Sequence, residues 1–142
     1  MVRMIATVLA ALCVTACSRP PDAEAIRLTI ARIGAAAENH RATDLMAHVS
    51  DDFSGNDGET DRAQLETIVR AQLLASRSLN VHLGSVSVEM LGDRAVARFD
   101  VTVTDTSGRW FENRETTLAF DTGWRRERGA WRCYNARWQR SP

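Results

Sequence analysis

The hydrophobic period of the chain changes at Leu79, and that change limits the fold more than any other feature. Upstream, apolar residues recur every third or fourth position; downstream they alternate with polar ones. A helix repeats every 3.6 residues and a strand every two, so helices come first and strands follow. Such a chain builds an α+β domain with helices on one face of a sheet. Ala95, Ala97, Phe99, Val101 and Val103 face one way, while Val96, Arg98, Asp100, Thr102 and Thr104 face the other. That pattern suits a strand buried on one side and wet on the other. The same logic assigns Val86, Val88 and Met90, then Thr116, Leu118 and Phe120, then Trp131 and Cys133 to the core. Leu91-Gly92-Asp93, Asp105-Thr106-Ser107-Gly108 and Arg128-Gly129 read as hairpin loops, giving four antiparallel strands. Gly123 marks a candidate bulge that bends the third strand.

In the front half, Asp22 can cap a helix bearing Ile26, Ile30, Ile33 and Ala37 on one stripe, which ends at Asn39-His40. A shorter helix starts at Thr43, carries Leu45, Met46 and Val49 on one face, and stops before Asp51. Ser54-Gly55-Asn56-Asp57-Gly58 is a turn. Asp61 and Gln64 form a capping-box variant for a third helix, with Leu65, Ile68, Val69 and Leu73 on its buried side and Glu66/Arg70 outside. The expected architecture is three N-terminal helices packed on the concave face of a curved four-stranded antiparallel sheet, together shaped like a cone.

Arg3 precedes an apolar run from Met4 to Ala16 that is shorter than the roughly 20 residues a bilayer-spanning helix needs, and it reads as the core of a secretory signal. Val14-Thr15-Ala16-Cys17 resembles the bacterial lipobox, with valine where leucine is commonest. The resemblance implies cleavage before Cys17 and lipid on its thiol; plain secretion is the alternative, because Val14-Thr15-Ala16 also fits a small-x-small cleavage site. Residues 1–16 are then the signal peptide, 17–21 a tether and 22–140 the folded domain. Ser18 follows the cysteine instead of the aspartate that marks inner-membrane retention, which implies an outer-membrane anchor facing the periplasm.

Export constrains the rest of the reading. Basic and acidic residues balance at 18 each, every basic one is arginine, and the signal removes Arg3 but no acid. No net positive field exists to hold nucleic acid. The composition, 44% hydrophobic and 25% charged, is globular and excludes a disordered tail or a polytopic membrane protein. Cys13 leaves with the signal and Cys17 carries lipid, so Cys133 has no partner for a disulfide. Its place on the core face, two residues from Trp131, makes it a small buried hydrophobe despite the adjacent Arg132.

No set of residues announces chemistry. Asp52, Ser54 and Asn56 alternate like calcium ligands, but a loop starting at Asp52 would need glycine at Asp57 and glutamate at Ala63, so no metal is expected there. His40, His48 and His82 lack metal-ligand spacing, and no Gly-x-Ser-x-Gly elbow occurs. No cofactor is expected. Asn135 and Arg137 continue the Trp131/Cys133 face, and Arg114 continues the Thr116/Leu118 face. These three are a candidate pocket for a small anion or polar ligand, with exposure at the solvent rim as the competing reading. Tyr134 and Trp138 fall on the opposite face as a candidate interaction surface.

The segment from Leu45 to Phe53 and Gly129-Ala130-Trp131-Arg132-Cys133 resemble the nuclear transport factor 2-like superfamily, which includes ketosteroid-isomerase-like and polyketide-cyclase-like enzymes and non-catalytic members. Asp51 to Gly58, Asp61-Arg62 and Thr122 to Arg126 resemble its exported bacterial members of unassigned function. The isomerase-like pattern, an acid and hydrogen-bond donors inside the cone, has no matching positions, since Asp100 and Tyr134 point outward by alternation. The resulting expectation is a lipid-anchored envelope domain that binds a small ligand or an envelope protein without transforming it. An isomerase- or cyclase-type pocket enzyme, and an interaction module using the outer sheet face, with a second copy of the chain as one candidate partner, are the alternatives.

Overall fold

The computed structural model describes residues 21–105 and 114–142. Cys17, the signal peptide and the tether up to residue 20 lie outside the described residues, as do the Thr106-Ser107-Gly108 turn and the side chain of Arg114. Helices α1 (Asp22–Glu38), α2 (Ala42–Met46) and α3 (Arg62–Ala75) are joined to seven strands: β1 (Val49–Gly55), β2 (Thr60–Asp61), β3 (Leu79–Leu83), β4 (Ser87–Leu91), β5 (Arg94–Asp105), β6 (Arg114–Glu127) and β7 (Ala130–Arg140). They form one sheet of order β2-β1-β7-β6-β5-β3, with β4 also on β5. No helix among the described residues is long and apolar enough to cross a membrane.

The sheet therefore has seven strands where four were expected, and it is mixed. Val49 and Phe53 stand four apart, a spacing compatible with either helix or strand. In place of a longer second helix, Val49–Gly55 lies parallel to β7, whose sequence is remote. Backbone partners that distant are invisible to a local pattern. The strand expected before Leu91-Gly92-Asp93 is two strands, because Gly84, Ser85 and Val86 bulge between the β3 and β4 pairings to β5. This outer edge is blunted by side chains: Glu38 accepts from the Val81 amide at 2.7 Å, and Arg27 Nε donates to the Val86 carbonyl at 3.2 Å. Satisfying free edge groups in this way discourages pairing with another chain.

The core lies between the helices and one sheet face. Ile26, Ile30, Met46, Val49, Phe53, Ala95, Ala97, Trp124, Trp131, Cys133 and Ala136 are buried together, and Phe99, Leu65 and Val69 pack against them. Asp61 and Gln64 make both hydrogen bonds of the capping box, each at 2.8 Å. Three expected details change. Asp22 is the first residue of α1 and not its cap, because its carboxylate is taken by Arg126 and by the Trp131 indole N–H. Ile68 is 46% exposed, since α3 lies over the short β1–β2 pair and its outer flank has nothing to cover it. Met90, at the end of β4 beside the β4–β5 turn, is 38% exposed.

Candidate functional site

β7 decides where the polar residues point. In its pairing with β6, Gly123 faces Asn135 but Trp124 faces Cys133, so Tyr134 is an extra residue in β7. A bulge of one residue reverses the alternation beyond it. Trp131 and Cys133 are buried before the bulge, and Ala136 is buried after it. Trp138 packs against the core cluster and lies on Phe120, ring centroids 6.4 Å apart, while Phe120 stacks on Phe99 at 5.3 Å. The expected register thus inverts: Asn135 and Arg137 are exposed and do not enter the cone, and Trp138 belongs to the core side instead of the outer surface. The sequence did point to Gly123, but the bulge sits opposite it, in β7. A Cβ on Gly123 would come within 3.1 Å of the Tyr134 ring, so glycine makes room for the extra residue.

Tyr134 lies on the outer face, with the Arg94 and Arg125 guanidinium groups 4.9 and 5.2 Å from its ring centroid. Arg125 also hydrogen-bonds Asp52, holding that carboxyl below its usual range, and approaches Glu127 at 3.4 Å. Glu127 in turn accepts from the fully buried Ser50 hydroxyl.

The two central rows of the inner face carry no carboxylate and no imidazole. The row Ala95, Trp124, Cys133 and the row Ala97, Thr122, Ala136 occupy the centre of the sheet. Trp124, 1% exposed, fills the volume that small neighbours leave. Its indole N–H donates to Thr122 Oγ1 at 2.8 Å, and that hydroxyl donates to the Ala97 carbonyl at 2.7 Å, so the polar side-chain atoms of Trp124 and Thr122 are satisfied within the protein. Burial pushes the Cys133 thiol up to about 12, which leaves it protonated and unreactive at neutral pH. Burial, with Arg32 and Arg132 nearby, lowers the pKa of His48.

The outer face holds a concavity of about 570 Å³. It is built on two cross-strand rows, Arg98-Asp121-Arg137 and Asp100-Ala119-Gln139, contributed by β5, β6 and β7. Ala119 keeps the floor low between longer side chains, and Ser85 of the β3–β4 bulge stands at one side. Arg98 Nε donates to Asp121 Oδ2 at 3.1 Å, and Arg98 Nη1 is 3.9 Å from Glu89. Arg137 Nη2 meets Asp57 Oδ1 at 2.5 Å, a contact made possible by the tight turn Asn56–Gly58, in which Asn56 and Asp57 have positive φ. Asn56 also accepts from the Trp138 amide at 3.1 Å, tying that turn to β7. Asp100 makes no ion pair among the described residues. Of the expected pocket residues, Arg137 lines this concavity and Asn135 does not, while the side chain of Arg114 lies outside the described residues. Asp100, Asp121, Arg98 and Gln139 were missed as a group because only strand register brings them into adjacent rows. Among the described residues no three His, Cys, Asp or Glu side chains converge as a metal would require.

No protein-family profile matches the chain, and no curated protein matches it by sequence. Solved structures do match. A protein provisionally assigned as a scytalone dehydratase from Novosphingobium aromaticivorans superposes with a TM-score of 0.74 at 14% identity, covering 84% of this chain and 83% of that one. A dehydratase provisionally assigned to the NTF2-like family, from Streptomyces avermitilis, gives 0.73 at 14% identity, over 85% and 96%. An NTF2-like protein with a cystatin-like fold from Novosphingobium aromaticivorans gives 0.66 at 25% identity, over 81% and 79%. The chain therefore has the cystatin-like α+β fold of the NTF2-like proteins, three helices against a curved mixed sheet.

Proposed function

We propose that the protein is a non-catalytic binding or accessory domain of the bacterial cell envelope, anchored through lipid on Cys17, that receives a polar partner on the outer face of its sheet. The observation that carries this reading is the division of labour between the two faces. The inner face is packed with Trp124, Phe53 and Met46, whereas the outer face keeps an open concavity with two guanidinium groups and two carboxylates on its rim. Guanidinium groups hold carboxylates or phosphates by paired hydrogen bonds and stay protonated, so they orient a ligand without serving as bases. A partner bearing both signs of charge fits best, since Arg98 and Arg137 can take its acid and Asp100 its base. The dehydratase names of the structural neighbours belong to proteins of low identity and bear on the fold alone.

Two measurements test the reading. Incorporation of labelled fatty acid into the chain should disappear in Cys17→Ala; unchanged incorporation removes the lipid anchor. Binding of amino acids, dicarboxylates and short peptides, followed by calorimetry, should weaken at least tenfold in Arg98→Ala/Arg137→Ala, the loss of one charge-assisted contact being about 1.5–3 kcal/mol. Turnover of any ligand in that panel that vanishes in Asp100→Asn would make the protein an enzyme and overturn the proposal.

A further inference from the structure

The end of the domain at which the described chain begins is also its arginine-rich end. Pro21 and α1 start beside the β6–β7 hairpin, because Asp22 is held there by Arg126 and Trp131. Arg94 of β5 pairs in register with Arg125 of β6, and Arg125 with Arg132 of β7. This places three arginines in one row on the outer face, at the cross-strand spacing of about 5 Å. Arg128 extends beyond them in the hairpin turn. Asp22 answers Arg126, and Asp52 and Glu127 answer Arg125. Arg94, Arg128 and Arg132 make no ion pair among the described residues, with Asp93 of the β4–β5 turn the nearby unpaired acid. The same turn exposes an apolar tip: Leu91, which pairs with Arg94, is 52% exposed.

From Cys17 to Pro21 a fully extended chain reaches about 14 Å at most. A lipid on Cys17 would hold this end, and not the opposite one, against the headgroups. We propose that Arg94, Arg128 and Arg132, with Leu91 between the charges and the acyl region, rest on the anionic phosphates of the bilayer in which Cys17 is anchored. This orientation rests on the reading of Cys17 as the lipid-bearing residue. Arginine beside an anionic surface is attracted by about 1 kcal/mol per side chain, and an exposed leucine can enter the interface. The domain would then sit with its β4–β5 and β6–β7 turns down and the far ends of α1 and β7 turned toward the periplasm.

The test separates the two claims. The chain from residue 17, which contains every element of the fold, is prepared with Cys17→Ser and sedimented with vesicles of equal phosphatidylglycerol and phosphatidylcholine at low salt. Binding is expected, absent on pure phosphatidylcholine and lost in 0.5 M salt. Arg94→Gln/Arg132→Gln should weaken it about thirtyfold, the product of two such contacts. The charge-matched Arg41→Gln/Arg140→Gln, in the connection from α1 to α2 and at the far end of β7, should stay within about twofold. No binding to the anionic vesicles, or equal losses in the two double variants, overturns the proposed orientation whether or not Cys17 is acylated. Binding with the expected losses, in a native protein that incorporates no fatty acid, would leave the headgroup surface standing and remove only the lipid on Cys17.

Discussion

β5 and β7 flank β6 and have nearly equal lengths, 12 and 11 residues, yet they handle alternation in opposite ways. β5 keeps strict order, with Ala95 and Ala97 buried and Arg98 and Asp100 exposed. β7 keeps it only as far as Cys133, then inserts Tyr134 and exchanges its faces. The comparison teaches that an alternating pattern assigns sides only within an unbroken stretch of pairing. Ala136 and Trp138 are the apolar residues that need cover, and one extra residue gives it to them while placing Arg137 within reach of Asp57. Without the bulge a guanidinium would face hydrocarbon, which costs several kcal/mol.

The largest effect is expected from Ala136→Arg, because only the extra residue Tyr134 turns position 136 toward the core; uninterrupted alternation from Trp131 and Cys133 would turn it outward. A guanidinium would then face hydrocarbon where the native side chain is 6% exposed, and a loss of more than about 5 kcal/mol, seen as absence of a cooperative urea transition, is expected. A variant as stable as the parent would show that β7 keeps the unbroken order of β5. Trp124→Ala comes next. Trp124 lies between Ala95 of β5 and Cys133 of β7, both too small to fill the space it leaves, so the expected cost is about 3–5 kcal/mol in denaturant unfolding. Phe99→Ala, at a half-buried position, should cost less than Trp124→Ala.

Cys133 reports whether the stretch before the bulge stays closed. Its thiol is raised from 9.0 to about 12 in the folded protein, so the unfolded chain loses that proton first as pH rises. Its contribution is complete below about pH 9 and declines above it, by at most about 1.4 kcal/mol per pH unit. Unfolding curves at pH 8 and pH 10 should show this decline in the parent and a shallower one in Cys133→Ala; equal slopes would mean that the thiol is open to water.

Gly123→Ala sharpens the comparison at the bulge itself. The added methyl meets the Tyr134 ring, so a loss of about 1–2 kcal/mol is expected, largely recovered in the Gly123→Ala/Tyr134→Ala pair. No recovery would mean that the ring does not set the glycine requirement. Arg98→Ala should have the smallest effect, about 0.5 kcal/mol or less in thermal or urea unfolding, because its ion pair with Asp121 is solvent-exposed. A loss comparable to that of Phe99→Ala would mean that the two faces of β5 are misassigned.

Most of the element order was legible in the sequence because it depends on near neighbours. The apolar stripe of α1, the Asp61/Gln64 box of α3 and the alternation of β5 are set by side chains a few positions apart, and each carries its own geometric rule. Tertiary structure alone decided the rest. Val49–Gly55 became a strand through its pairing with β7, about 80 residues later in the chain. The concavity took its charges from three strands whose relative register no local pattern encodes, so Arg137 was legible as a candidate while Asp121 and Asp100 were not. Tyr134 was visible as an outward residue but not as the insertion that turned its neighbours over. A bulge changes the pairing of two strands, and its energy depends on what both faces meet: here a glycine opposite, a core that accepts Trp138, and solvent for Asn135 and Arg137.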